Sequence, residues 1–500
     1  MMMHPEHGIV DESNMDSELE DKESRRVVRA KESKPWGKYW RAHSLTRSLA
    51  PENTEDPNLV ASAKKSRVAT LDVFRGLTVA LMVLVDDAGY WWPKIAHAPW
   101  NGCTLADFVM PFFLFIVGVA IALAFKRVVL KRASMVRVIL RAIKLIILGI
   151  LLQGGFLHGS DQLSYGVDMK LIRWAGILQR IALAYLFVAL VEIAITNAEG
   201  LVLPEGRFGI FKLYRWHWVA ALFILIIYHS VVYGVFVPDW HFVPGNGSGA
   251  KALTVKCGVR AHFGPACNAV GYIDRTILGK HHLYWHPAWR RSKWCSLFSP
   301  DTGPAPPNAP TWCFGPFEPE GIMSSISAIL SCIIGIHYGH VLTHFKDHFN
   351  RLLHWAMPGV LFIVMGAVLH ISNAIPLNKQ LYSFSYVCFT AGTAGLVFSA
   401  LYILIDVFGV RYPTLMLEWM GMNALVVFVF GASDVLASFV NGFYYESSDN
   451  SLIHWVKKHI FFNVWNSQRV AGLLYVLFGE ILFWGIVSGL LHSQRWYWKL

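Results

Sequence analysis

Charge is scarce in this sequence. Asp, Glu, Lys and Arg make up 15% of its 500 residues, where a soluble chain carries roughly a quarter. The shortage excludes a string of soluble domains, because 54% of the chain is hydrophobic and the apolar residues fall in blocks of about 20, enough to cross ~30 Å of hydrocarbon. Residues 1–66 hold no apolar core of the kind a secretory leader needs, so none is expected there. Cysteine is sparse as well. The seven present include no C-x-x-C pair, so no zinc site is expected. Nor is there an internal repeat like those of many secondary transporters.

What remains reads as an all-α polytopic membrane helix bundle of about ten transmembrane helices. The apolar runs predict crossings at about 68–88, 104–125, 138–156, 171–195, 216–237, 321–341, 357–373, 383–408, 413–440 and 471–492. The formal charge of +11 does not point to nucleic acid. Its Lys and Arg lie in the N-terminal tail and the short connections, the positive-inside pattern that orients helices. Lys126, Arg127, Lys131, Arg132, Arg137, Arg141 and Lys144 form a stretch without one acidic residue. This stretch, Lys64, Lys65 and Arg67 beside the first run, and Arg495 and Lys499 at the end all predict cytosolic termini. Residues 1–66, rich in Glu, Asp, Ser, Lys and Arg, read as a disordered cytosolic tail, leaving 67–500 as the membrane domain.

That topology puts 238–320 and 441–470 on the luminal side. The chain's one N-x-[ST] sequon, Asn246-Gly247-Ser248, falls in the first of these and is expected to be glycosylated. So do Cys257, Cys267, Cys295 and Cys313, candidates for one or two disulfides in an oxidising lumen, with the pairing left open. Cys103, Cys332 and Cys388 lie in or beside helices and read as packing residues.

Polar groups are costly in lipid, ~2.5–3.5 kcal/mol or more for a central charge. Asp72 and Arg75 in the first span, three apart on one face, read as an ion pair. Asp107 in the second span, Gln179 and Arg180 in the fourth, and Asn423 and Asp434 in the ninth together imply a shared polar interior. The densest chemistry joins the first two spans. Asp86 and Asp87 end the first crossing, and His97 follows on the aromatic segment Tyr90-Trp91-Trp92-Pro93-Lys94-Ile95-Ala96-His97. Trp91, Trp92 and Trp100 read as interfacial anchors. An imidazole with carboxylates nearby is a candidate general base.

These residues resemble the heparan-α-glucosaminide N-acetyltransferase family. The resemblance rests on Asp72-Val73-Phe74-Arg75-Gly76, His97-Ala98-Pro99-Trp100-Asn101-Gly102-Cys103-Thr104-Leu105-Ala106-Asp107, Phe112-Phe113 and Arg173-Trp174-Ala175-Gly176-Ile177-Leu178-Gln179-Arg180-Ile181-Ala182. It continues through Gly271-Tyr272-Ile273-Asp274-Arg275, His282-Leu283-Tyr284-Trp285-His286-Pro287, Phe317-Glu318-Pro319-Glu320-Gly321, Pro376-Leu377-Asn378-Lys379 and Gly421-Met422-Asn423-Ala424, in collinear order over about 67–495. It implies transfer of acetyl from cytosolic acetyl-CoA, a co-substrate rather than a bound cofactor, to the amine of a luminal glucosamine end of heparan. A lysosomal or vacuolar membrane and a homodimer are implied with it. The family's active-site histidine falls on His97. An amide that assists it in the animal enzyme falls on Asp86, where this chain has a carboxylate. The animal enzyme also begins with a luminal domain and an extra helix, where this chain begins with the tail.

The chemistry fits the layout. A glucosammonium must lose a proton before it attacks, and a base near neutral pKa contributes roughly 10²–10⁴-fold. Asp86 and Asp87 are the expected assistants of His97, as binders of the ammonium. Arg75, Asp107, Gln179, Arg180 and Asn423 are expected to line the donor's path, and the basic stretch 126–144 to face its phosphates. His97 as base and His97 as acetyl carrier both remain open. The reading from another class is a polytopic transporter of a sugar or anionic metabolite.

Overall fold

The computed structural model describes residues 68–154, 169–206, 208–244, 251–447 and 449–498. The tail at 1–66, Asn246 and Lys499 lie outside the described residues. Long apolar runs become helices because lipid offers the backbone no partner but itself. In order they are α1 (Ala69–Ala88), α2 (Ala106–Ala124), α3 (Lys131–Gly154), α4 (Ile177–Ile195) and α5 (Arg215–Gly234). After a long connection come α6 (Ala269–Ile277), α7 (Ile322–His344), α8 (His348–Ile371) and α9 (Phe384–Val407). The chain ends with α10 (Tyr412–Met422), α11 (Ala424–Ala432), α12 (Val435–Asn441), α13 (Leu452–Val456) and α14 (Gln468–Ser493).

Among the described residues, α2, α4, α5, α7, α8, α9 and α14 are each long and apolar enough to cross a membrane, and α10 with α11 makes a bent eighth. Helices α1 and α3, of 20 and 24 residues, are long enough but carry more charge: Asp72, Arg75, Asp86 and Asp87 on one, five Lys and Arg on the other. The protein is an all-α polytopic membrane bundle.

Several expected boundaries move: α3 begins at Lys131 rather than 138 and α8 at His348 rather than 357, and two further moves have a visible cause. The ninth crossing, read as one run over 413–440, is broken: α10 and α11 meet at 72° with Asn423 between them. Both halves are apolar, so hydropathy does not register the bend. The Asn423 side chain, buried at the break, donates to the Ser488 carbonyl at 3.5 Å. The fourth crossing, expected from 171, begins at Ile177. The residues before it are drawn off the helix by Arg173, which pairs with Glu318 and Glu320 ahead of α7.

Between helices in lipid the drive is close packing rather than hydrophobic burial. Two glycine pairs allow it. A Cβ on Gly76 would lie 1.7 Å from the Leu417 carbonyl oxygen, and one on Gly421 1.8 Å from that of Asp72, fixing α1 against α10. Gly118 and Gly335 do the same for α2 and α7, with a Cβ at 2.1 Å from Cys332 O or Phe115 O. We expect Gly421→Val to cost about 3 kcal/mol or more by forcing these backbones apart. Thermal unfolding in detergent checks it against Gly234→Ala, where an added Cβ meets nothing within 4 Å; equal melting of the two would contradict the contact.

The segment between α5 and α7 folds over the end of the bundle that carries residues 89–105. A hairpin pairs β1 (Trp240–Phe242) with antiparallel β2 (Leu253–Val255), Trp240 facing Val255. Disulfides join Cys257 to Cys267 and Cys295 to Cys313, while Cys103, Cys332 and Cys388 are free. An aromatic cluster of Trp289, Phe317 and Trp100 ties this segment to the α1–α2 connection, with Trp100 5.6 Å from Trp289 and 5.5 Å from Phe317. Trp100 Nε1 also donates to Phe263 O at 2.8 Å.

Candidate active site

The α1–α2 connection is held at several points, and this fixes His97. Gly102 N–H donates to Leu377 O at 2.9 Å, and Asn378 Nδ2 donates to Trp100 O and Asn101 Oδ1, both at 3.1 Å. Arg291 donates to the His97 carbonyl. The two connections before α2 and before α9 are thereby zipped together, with His97 on one and Lys379 on the other.

Asp107, in the first turn of α2 and wholly buried, orients the imidazole. Its Oδ1 stands 2.8 Å from His97 Nδ1. Its Oδ2 accepts the backbone N–H of Ala98 at 3.1 Å and of Thr104 at 3.0 Å. A carboxylate with every other contact a donor accepts from Nδ1–H, so the proton of a neutral ring belongs on Nδ1 and the lone pair on Nε2. The Tyr386 hydroxyl donates to the Asp107 carbonyl and steadies the turn.

Lys379 Nζ lies 2.9 Å from Nε2 and 3.1 Å from Nδ1 of His97. A point nearly equidistant from both nitrogens sits off the in-plane lone-pair axis of either. Burial holds the His97 imidazole below its usual 6.5, helped by the Lys379 charge and opposed by Asp107. Burial likewise lowers the Lys379 ammonium, against the pull of Asp107, Glu320 and Asp86. The half-buried imidazole therefore stays neutral over a wider acidic range than an exposed one.

Beside them is a cavity of about 50 Å³ lined by Asp86, Val85 and Met82 of α1, Val109 and Phe113 of α2, Ile177 of α4, His97 and Lys379. That is room for a few waters or an acetyl-sized group.

The sequence reading placed both Asp86 and Asp87 beside His97; the structure separates them. Asp86 lines the cavity, whereas Asp87 turns toward Glu480, Asp434 and Tyr475 on the other flank. Consecutive helical residues point ~100° apart, so two adjacent carboxylates cannot both face one ring. The expected donor path also divides. Arg75 pairs with Asp72 at 3.0 Å and donates to Gly421 O at 3.3 Å, eleven residues and so ~16 Å of helix from Asp86. Asn423 sits at the α10–α11 break, away from the cavity. Gln179 faces α3, where a Cβ on Gly149 would meet its Oε1 at 2.4 Å. Arg180 is buried against Pro319 O and Ser324 Oγ, both at 2.6 Å, and lies over the Tyr382 ring at 5.2 Å. Only Asp107 of that set touches His97, as its orienting carboxylate.

Lys379, Arg291 and Tyr386 escaped the sequence reading. Lys379 belongs to a quoted motif, yet a lysine between helices reads as an orientation signal, and its partner is 282 residues away.

The fold and this pair define a membrane-embedded bundle with a half-buried histidine, oriented by a buried carboxylate, at one end. No family model matches the chain. It is 28% identical over 466 residues to the heparan-alpha-glucosaminide N-acetyltransferase of Mus musculus, covering 89% of this chain and 63% of that protein. It is 28% identical over 443 residues to the protein of the same name from Homo sapiens, covering 85% of this chain and 61% of that one. The chain thus spans about three fifths of the length of these curated relatives. Both carry the family name to which the sequence motifs pointed.

Proposed function

We propose that this protein is a transmembrane N-acetyltransferase that moves acetyl from cytosolic acetyl-CoA to the amine of a glucosamine-type acceptor across the bilayer. The observation that carries the reading is the Asp107–His97 pair beside a small cavity between α1, α2 and α4, with the Lys379 ammonium 2.9 Å from Nε2. The similarity to proteins named as N-acetyltransferases supports it.

A donor path fits the same elements. Ile177 lines the cavity, and Ile181 and Tyr185 follow it on one face of α4, eight residues or ~12 Å toward the opposite end. There Arg141 lies 4.9 Å over the Tyr185 ring, with Arg137 and Lys144 at i−4 and i+3 on the same face of α3. A pantetheine arm laid along this column brings its thioester to His97 and its diphosphate to these cations. The acidless basic stretch lies at that end, which supports a cytosolic donor side and a luminal His97 side.

The acceptor side carries its own chemistry. Arg290 Nε is buried without a partner, and Arg291, beside it, makes no ion pair among the described residues. These guanidiniums, one with an unpartnered Nε and one bound to the His97 backbone carbonyl, suit the carboxylate or sulfate of an acidic glycan. Asp86, on the cavity wall, suits the incoming ammonium. His97 then takes a proton from the amine, or takes the acetyl group first and passes it on. An imidazole kept neutral below 6.5 suits a lysosomal or vacuolar lumen.

The test is turnover in nanodiscs with acetyl-CoA and a panel of amino sugars. The expected result is acceptor-dependent release of CoA matched one for one by N-acetylated sugar. Binding of the sugar with no release of CoA from any of them would contradict the reading.

A further inference from the structure

The acceptor's amine must reach an acetyl group at His97, but the structure already holds an amine there. Lys379 Nζ is 2.9 Å from His97 Nε2 and opens on the same cavity of about 50 Å³. Asn378 anchors the backbone that presents it, its Oδ1 accepting Leu381 N–H at 2.8 Å and its Nδ2 holding Trp100 O. The backbone that presents the lysine is thereby tied to the connection that positions His97. It occupies, within bond-forming reach, the place where a substrate amine would react.

We propose that Lys379 is a self-acetylation site, taking the acetyl group when donor is bound and no acceptor amine is present. The inference rests on the acetyl-transfer reading. In the step, the neutral Nζ attacks the carbonyl carbon of the thioester, a C–N bond forms and the C–S bond breaks. The proton lost from nitrogen passes through His97 to the departing sulfur, so the products are N-acetyl-lysine and CoA thiol. Where His97 carries the acetyl first, the bond broken second is the acyl–imidazole bond, and the balance is the same.

Burial favours the neutral amine this step needs, while Asp107, Glu320 and Asp86 favour the ammonium. The carboxylates therefore act as a guard that keeps the step slow relative to transfer to acceptor. An acetylated Lys379 would have no charge for those carboxylates and would fill the cavity with a permanent amide. The modification is thus self-inactivating, and bound acceptor protects against it.

The experiment uses wild-type protein in nanodiscs, incubated with acetyl-CoA and no amino sugar, then digested and read by peptide mass spectrometry. The expected result is acetyl on Lys379 accumulating at least about tenfold faster than on exposed Lys94 or Lys293, from its held proximity to the reacting centre. Glucosamine slows it, unfolding in detergent before incubation abolishes the preference, and acceptor-free CoA release stops near one equivalent. The Lys379→Arg variant keeps a cation but no acylable amine, and the stable acetyl mark at position 379 should vanish in it. An unmodified Lys379, or one modified no faster than Lys94, while acceptor-dependent release proceeds, overturns this inference alone. Absence of CoA release with every acceptor overturns the acetyl-transfer reading, and this inference with it.

Discussion

His97→Ala is expected to lower acceptor-dependent CoA release by roughly 10²–10⁴-fold, the range lost when a positioned base is removed. The expectation follows from placement. His97 is the imidazole on the cavity wall, oriented through Nδ1 by a wholly buried carboxylate. The backbone at this position is held by Arg291 and by the contacts of Trp100 and Gly102, none of which needs the ring. The variant should therefore fold, and an unchanged melting temperature would show that only the chemistry was removed. Near-wild-type turnover in folded protein would take His97 out of the mechanism. The acid limb of the wild-type pH profile follows from the same ring. The base works only when neutral, and burial lowers its pKa from 6.5. Turnover should hold through mildly acidic pH, with the midpoint of its acid limb below 6.5, a limb absent from residual activity in the variant.

The second large effect is at Asp107. Asp107→Asn keeps the shape but replaces an acceptor-only group by half an acceptor and half a donor. Its one carbonyl oxygen can serve His97 Nδ1–H or the N–H groups of Ala98 and Thr104, which now lie 3.1 and 3.0 Å from the carboxylate. Either way an NH₂ is aimed at a donor. If the amide keeps the backbone, the ring turns its lone pair to Nδ1 and its proton into the cavity, the wrong tautomer for a base. We expect kcat to fall by about 10²-fold or more, with ~1–3 kcal/mol of stability lost from mismatched buried donors. Steady-state kinetics separates this from a donor-binding role. A rise in KM for acetyl-CoA with kcat intact would return Asp107 to the path the sequence suggested.

How much of this was legible in the sequence depends on range. The helices were readable because an apolar run of span length has few other fates, and α2 and α7, nearly free of charge over long stretches, fell close to expectation. The break at Asn423 was not, since α10 and α11 are both apolar and the bend rests on one buried side chain and its contact with Ser488. The start of α4 shifted because Arg173 answers to Glu318, 145 residues on. Among site residues, His97 stood out by its company. Asp107 was noticed as a buried charge, but its purpose needed the ten-residue loop to close on itself. Pairing of the four cysteines at 257–313 needed the hairpin and the Trp289 cluster to be formed, as spacing alone allows three connectivities.

The central claim is that acetyl crosses the bilayer at the His97 cavity, entering as a thioester and leaving as an amide. Sealed proteoliposomes test it most directly, with acetyl-CoA supplied to the face that bears Arg137 and Arg141 and glucosamine trapped on the other. The expected result is N-acetylglucosamine inside and an equal amount of free CoA outside, with neither from His97→Ala vesicles. Release of CoA only when both substrates share one side, or passage of glucosamine outward without its acetyl group, would contradict the account.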